Sequence, residues 1–150
     1  MILTIRVTGD PTPQGSKRHV GRGHIIDSNR EKLTDWRSDI VGACLRAMPE
    51  GFQRIEGPVV ARMVFSFDRP KSVKYAKRPF HVTAPDLSKL CRAAEDALTA
   101  AKVWRDDSQV CYYTALKKVY CGEDPEALEV PGVLIVVVEL DTPAPIMGAK

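Results

Sequence analysis

The 150-residue sequence lacks several features that would narrow its function at once. No apolar run approaches the roughly 20 residues that a membrane-spanning helix needs, and the longest, residues 133–138, has the length of a strand. The first residues alternate as a strand does and lack the apolar block of a secretory signal. We therefore expect a cytoplasmic protein that does not enter a membrane.

Closely paired metal ligands and nucleotide-binding loops are also missing. The four cysteines are scattered, without a CxxC pair or a histidine at metal-ligand spacing. Zinc sites need such pairs, so we predict reduced thiols that pack as small hydrophobic side chains. No GxxxxGK[ST] or GxGxxG segment is present to cradle the phosphates of a nucleotide, so no nucleotide cofactor is expected.

Positive charge is modest in total but unevenly distributed. The net charge of +3 says little about partners by itself. One basic cluster contains Lys17, Arg18, His19, Arg22 and His24, and another contains Arg69, Lys71, Lys74, Lys77 and Arg78. Either cluster alone is typical of a solvated loop. Two of them beside a candidate acidic site indicate a nucleic acid as the partner.

Hydrophobic periodicity predicts one α+β domain over residues 1–150, with two main helices packed on a mixed β-sheet. Strands are expected over residues 2–8, 59–67, 110–120 and 133–140, and a short hairpin near residues 17–27. A first helix is expected from about residue 29 to 48. Its predicted core face consists of Leu33, Trp36, Ile40, Val41, Cys44 and Leu45.

The second helix has the clearest pattern in the chain. Its apolar stripe consists of Leu87, Leu90, Cys91, Ala94, Ala97, Leu98 and Ala101. Pro85 precedes this helix, and Asp86 is well placed to cap it. Residues 68–85 are basic, contain three prolines and show no periodicity, so they predict a mobile loop. Residues 141–150 are predicted to form a frayed tail.

Acidic residues stand at both ends of the second helix. Asp86 opens it, and Asp106 and Asp107 follow its far end in the segment WRDDSQV. A helix of this length spans about 22 Å, so spacing alone does not bring the two ends together, and a cap plus a polar turn explains them. If the chain doubles back, the carboxylates suit Mg²⁺, which prefers oxygen ligands and polarises phosphoryl groups.

The segment APDLSKLCRAAEDALTAAKVWRDDSQV, residues 84–110, resembles the signature of RusA-type Holliday junction resolvases. That signature has an Asp-Leu-x-x-Leu opening to a helix, then Asp-Ala-Leu-Thr, an aromatic residue and Asp-Asp-x-Gln-Val. Asp86, Asp96, Trp104 and the pair 106–107 match it in register and without a gap. Elsewhere the resemblance is one of layout, including the loop PTPQGSKR.

The resemblance implies a homodimeric endonuclease that uses Mg²⁺ or Mn²⁺ and resolves four-way DNA junctions by paired nicks. Proteins of this type are carried by bacteria, phages and prophages. It implies that Asp86 and Asp107 hold the metal and that Arg92 assists catalysis. Asp106 is a further candidate metal ligand. The predicted phosphate contacts are Lys17, Arg18, Arg22, Lys71, Lys74, Lys77, Arg78 and Lys89.

One position departs from the family pattern. Family members commonly carry a second carboxylate two residues after the first, where this chain has Ser88. Three interpretations stay open: a metal-dependent resolvase, a junction-binding module that cleaves weakly or not at all, and an interaction domain whose acidic turn is structural. Trp104 is expected to pack beneath the helix end rather than to stack on DNA.

Overall fold

The computed structural model of the chain describes residues 1–15, 17–19, 21, 25–27 and 29–148, with the backbone alone for 17–19 and 25–27. The strands are β1 (Ile2–Thr8), β2 (Lys17–His19), β3 (Ile25–Asp27), β4 (Val59–Phe67), β5 (Val110–Tyr120) and β6 (Gly132–Glu139). The helices are α1 (Arg30–Ala47) and α2 (Leu87–Ala100), and a short 3-10 turn spans Asp107–Gln109. The predicted elements are confirmed, including the hairpin of β2 and β3.

Four strands form one mixed sheet in the order β1-β6-β4-β5. β6 pairs antiparallel with both β1 and β4, whereas β4 and β5 are parallel neighbours. Parallel neighbours need a crossover connection, and α2 provides it. The predicted α+β fold with a mixed sheet and two helices is therefore confirmed.

The hydrophobic core lies between the helices and one face of the sheet. Alternate residues of β1 (Leu3, Ile5 and Val7) are buried, and their partners in β6 are Val137, Ile135 and Val133. The predicted stripe of α2 joins the same core. One residue of the predicted α1 face is wrong, because Leu45 is 61% exposed. At about 100° per residue it lies 120° around the helix from Leu33, and Ala43 is buried instead.

Residues 68–85 contain no helix or strand, and the described tail residues 141–148 contain none either. The mobility of the loop and the fraying of the tail remain predictions. Within the described part of the chain, no helix has both the length and the apolar character needed to cross a membrane.

Candidate active site

The crossover from β4 to β5 separates the two aspartates of the motif along the sheet. Asp86 precedes α2 near the carboxyl end of β5, where the Lys118 ammonium group donates hydrogen bonds to the carbonyls of Thr83 (2.7 Å) and Pro85 (2.8 Å). Asp107 lies three residues before Val110, the first residue of β5, which pairs with the first residue of β4. The chain therefore carries Asp86 and Asp107 to opposite ends of the parallel strand pair.

Asp86 occupies the N-cap position of α2, as predicted, but its side chain makes no capping hydrogen bond. The carboxylate is exposed and lies 3.5 Å from the ammonium group of Lys89, one turn into the helix. Because no helix amide donates to its oxygens, the exposed Asp86 carboxylate is accessible to a ligand from solvent.

A cavity of about 470 Å³ adjoins Asp86. The Pro-rich loop, residues 10–15, forms one wall, and Lys32, Phe67 and Lys89 contribute to others. This loop is attached to α2, because the backbone N–H of Gln14 donates to the backbone carbonyl of Lys89 at 3.0 Å. The lining carries two lysines, Lys32 and Lys89, and two carboxylates, Asp10 and Asp86, so its formal charges balance.

Arg37 of α1 connects the same loop to the middle of α2. Its guanidinium donates to the Gln14 side chain at 3.3 Å and pairs with the carboxylate of Asp96. Asp96, the acidic residue of the Asp-Ala-Leu-Thr segment, thus joins the two helices rather than facing Asp86. A residue ten positions along a helix lies about 15 Å away, in agreement with this structural role.

The segment WRDDSQV owes its shape to Gln109. The side-chain oxygen of this buried glutamine accepts the backbone N–H groups of Arg105 (2.8 Å) and Asp106 (2.9 Å). Its amide group donates to the carbonyls of Ile55 (3.0 Å) and Gly57 (2.7 Å), which precede β4. One side chain therefore fixes the acidic turn to the strand segment beside it.

Asp106 completes this turn as the N-cap of the 3-10 segment. Its carboxylate accepts the Ser108 N–H at 2.9 Å. Hydrogen bonding by the Ser108 side chain, and then by this backbone N–H, lowers the pKa of Asp106 below its usual value. Trp104 is fully buried, and its indole N–H donates to the Thr99 hydroxyl at 2.8 Å. The prediction that Trp104 packs under the helix end is confirmed.

Asp107 is half-buried, and a polar group that the sequence did not reveal lies between α2 and β5. The Tyr113 hydroxyl of β5 donates to the Glu95 carboxylate at 2.5 Å and accepts the Cys91 thiol at 3.4 Å. Burial, together with the charges of Glu95 and Asp107, raises the pKa of Cys91 to about 11.

Glu95 and Tyr113 were missed because no local pattern connects them. Glu95 reads as one polar residue of an amphipathic helix, and Tyr113 as one residue of a strand. A signal was present in the helical spacing, since Glu95 falls two turns after Ser88 on the same side of α2. Burial raises the pKa of Tyr113 well above its ordinary value, so its hydroxyl remains a hydrogen-bond donor at neutral pH.

The predicted DNA-contacting residues lie in three segments of the chain: residues 17–22, the 68–85 loop and α2. Lys71, Lys74 and Lys77 are exposed in the 68–85 loop, whereas Arg78 is half-buried and its backbone carbonyl accepts a hydrogen bond from Arg69. Arg92 is exposed on α2. Lys17 and Arg18 lie in β2, where the backbone alone is described, and Arg22 lies outside the described residues.

No group of three or more histidine, cysteine or acidic side chains converges on a metal-sized point in the part of the chain whose side chains are described. The donor chemistry nevertheless fits a divalent ion. Asp86 and Asp107 offer hard carboxylate oxygens accessible to solvent. Mg²⁺ keeps several waters and is commonly held by one or two carboxylates together with substrate phosphates, so either aspartate could hold an ion with a substrate phosphate. Because Asp86 and Asp107 lie at opposite ends of β4 and β5, they do not share one ion within a single chain.

Comparison with known families matches residues 8–130 to the family model described as endodeoxyribonuclease RusA. The matched range contains β2 to β5 in full, both helices and every carboxylate discussed above. No curated protein matches the chain at a significant level. The family match, the confirmed fold and the Asp86 to Val110 segment agree, and the chain belongs to the RusA family of endodeoxyribonucleases.

Proposed function

We propose that this protein is a metal-dependent endonuclease that resolves four-way DNA junctions by paired nicks during recombination and repair. The observation that carries the proposal is the family match over both helices and the acidic turn. It is supported by the Gln109 contacts, which fix the turn that carries Asp107 to the segment before β4.

In this proposal Asp86 and Asp107 are the metal-holding carboxylates, each at its own end of the β4–β5 pair, with Asp106 as a further candidate. When bound, Mg²⁺ or Mn²⁺ supplies Lewis-acid polarisation of the scissile phosphate and lowers the pKa of the attacking water. The exposed Arg92 guanidinium stabilises negative charge that builds on the phosphate. An arginine at this position contributes positive charge rather than a transferable proton.

The basic surfaces serve as DNA contacts. Lys71, Lys74 and Lys77 are placed to meet backbone phosphates along the loop, together with Arg78, Lys89, Lys17, Arg18 and Arg22. Contacts of this kind set affinity and its salt dependence rather than sequence preference. Two symmetric nicks need two active sites, which an isologous homodimer supplies. The setting proposed is the cytoplasm of a bacterial cell, with a bacterial, phage or prophage gene.

A second function is favoured by one observation. Ser88 stands where a metal-site carboxylate is common, and a hydroxyl group brings no negative charge. The alternative is a module that binds junctions or other branched DNA but cleaves them weakly or not at all.

Nicking of a labelled synthetic four-way junction tests both functions. The wild-type protein is expected to make paired nicks with Mg²⁺ or Mn²⁺ and none with EDTA. Asp107→Asn should abolish nicking, whereas Glu50→Gln, which neutralises an exposed carboxylate just after α1, should leave it unchanged. Tight junction binding without nicks under any metal condition would instead establish the binding module.

A further inference from the structure

The loop of residues 68–85 exposes aromatic rings among positive charges. Phe80 is 77% exposed, the highest value among the aromatic residues that the structure describes, and Tyr75 is 61% exposed. The loop contains five lysine or arginine residues and one acid, a net charge of +4, and all three of its lysines are exposed. Aromatic side chains combined with positive charge are typical of surfaces that bind single-stranded nucleic acid.

The backbone that carries Phe80 is attached to the rest of the molecule on both sides. The Arg69 guanidinium pairs with the Glu123 carboxylate at 2.9 Å and donates to the Arg78 carbonyl at 2.7 Å. His81 stacks on the Tyr120 ring of β5, with 5.0 Å between the ring centres. Phe80 therefore stands between two anchored residues, 78 and 81, while its own ring projects into solvent.

A cavity of about 240 Å³ lies between this loop and β5, and Tyr75 and Phe80 both contribute to its lining. Two lysines of β5 line it together with Glu123 and Asp124, so its formal charges balance. Both acids are engaged in ion pairs. A charge-balanced cavity with aromatic walls suits a neutral, planar base. The exposed lysines of the loop suit the phosphates that accompany such a base.

This surface adjoins the Asp86 end of the parallel strand pair. Phe80 precedes Asp86 by six residues, so at most about 22 Å separates their Cα atoms. Lys118 of β5 holds the intervening segment by its hydrogen bonds to the carbonyls of Thr83 and Pro85. Each strand of a duplex advances about 3.4 Å per nucleotide. A base on Phe80 would therefore lie within about seven nucleotides of a phosphate at Asp86.

We propose that Phe80 and Tyr75 form a stacking site for an unpaired base of branched DNA, and that the lysines of the loop hold the flanking phosphates. This inference rests on the proposed function and adds the feature of the DNA that the protein recognises. A base within a duplex has both faces covered by its neighbours, and extruding it costs free energy, whereas an unpaired base is available to an aromatic ring. Phe80 thus confers selectivity for branched DNA, and the lysines confer affinity for any DNA.

Binding of fluorescently labelled DNA in EDTA tests the proposal without relying on activity. Phe80→Leu removes the ring but keeps an apolar side chain. It should weaken binding of a single-stranded oligonucleotide and of a four-way junction about fivefold or more, and leave binding of a fully paired duplex unchanged. Phe80→Trp, which keeps an aromatic face, should retain all three affinities.

Two further variants separate stacking from other effects. Tyr112→Leu removes an exposed ring of β5 outside the loop and should change none of the three affinities. Lys77→Gln removes a phosphate contact, so it should weaken binding of all three DNAs to a similar extent and reduce the slope of the salt dependence by about 1.

Photo-cross-linking locates the base. An oligonucleotide that carries 5-iododeoxyuridine should cross-link to the wild-type protein at Tyr75 or Phe80, as identified by peptide mass spectrometry. Equal weakening of all three DNAs by Phe80→Leu, no weakening of any, or cross-links confined to other residues would each overturn the stacking site. If the wild-type protein neither binds nor nicks junctions, the proposed function itself fails. If it nicks junctions while Phe80→Leu binds single strands normally, only the stacking site fails.

Discussion

Replacement of Gln109 by methionine should destabilise the protein strongly, although the two side chains are similar in size. Gln109 is 8% exposed. Its amide oxygen accepts two backbone N–H groups, and its amide nitrogen donates to two carbonyls. At about 1 kcal/mol net for each hydrogen bond, the loss is about 4 kcal/mol. The free energy of unfolding of a typical domain is about 5–15 kcal/mol, so the hydrogen bonds of Gln109 would contribute a large fraction of it.

Urea denaturation followed by tryptophan fluorescence measures this loss, because Trp36 and Trp104 are both buried in the core. At about 2–4 °C per kcal/mol for a chain of this size, the melting temperature should fall by about 8–16 °C. Gln53→Met is the matched control, since Gln53 is exposed and its amide makes one long contact, 3.4 Å, to the Gly51 carbonyl. It should change stability by less than about 0.5 kcal/mol.

A loss below about 1 kcal/mol in Gln109→Met would refute the reasoning, because the four hydrogen bonds would then be replaced by water at little cost. The variant should also nick junctions more slowly at temperatures where it remains folded, since the turn that carries Asp107 is no longer fixed to the segment before β4. Normal nicking by a destabilised variant would separate the stability of the turn from its role in the site.

Three other measurements test the structure more widely. Gly132→Ala should cost about 1–3 kcal/mol in denaturation, because an added Cβ would lie 2.0 Å from the backbone oxygen of β1; Gly42→Ala, which meets only a flexible side chain, should be neutral or stabilising. At pH 8 the exposed Cys111 should react rapidly with iodoacetamide, whereas burial and a pKa of about 11 should protect Cys91; equal labelling by peptide mass spectrometry would contradict this. Burial lowers the pKa of His81, so the unfolded state protonates first and the free energy of unfolding should fall as pH drops from about 6.5 through the folded pKa; His81→Gln should remove that dependence.

Much of the fold follows from local patterns in the sequence. The alternation of β1 predicts which residues are buried, because successive side chains of a strand point to opposite faces. The apolar stripe of α2 likewise predicts its core contacts, because residues three and four positions apart lie on the same face of a helix. Leu45 shows the limit of such patterns, since a residue at the edge of an apolar face is buried only if a neighbouring element covers it.

The motif residues of the candidate site were also readable from the sequence. Asp86, Asp106, Asp107 and Arg92 stand in one continuous segment, so their register could be compared with a family signature directly. Their roles as ligands remain predictions. Asp86 does occupy the N-cap position of α2, as predicted. Its carboxylate, however, pairs with the ammonium group of Lys89 instead of accepting a hydrogen bond from the helix amides.

The sequence by itself determined the elements, the faces they bury and the acidic segment, because these depend on residues within a few positions of one another. The tertiary structure alone decided that Gln109 holds the acidic turn to Ile55 and Gly57, more than 50 positions away. It also decided that the Tyr113 hydroxyl of β5 donates to the Glu95 carboxylate of α2. Such contacts depend on strand order and on the packing of a helix against a sheet, which no short-range period of the sequence encodes.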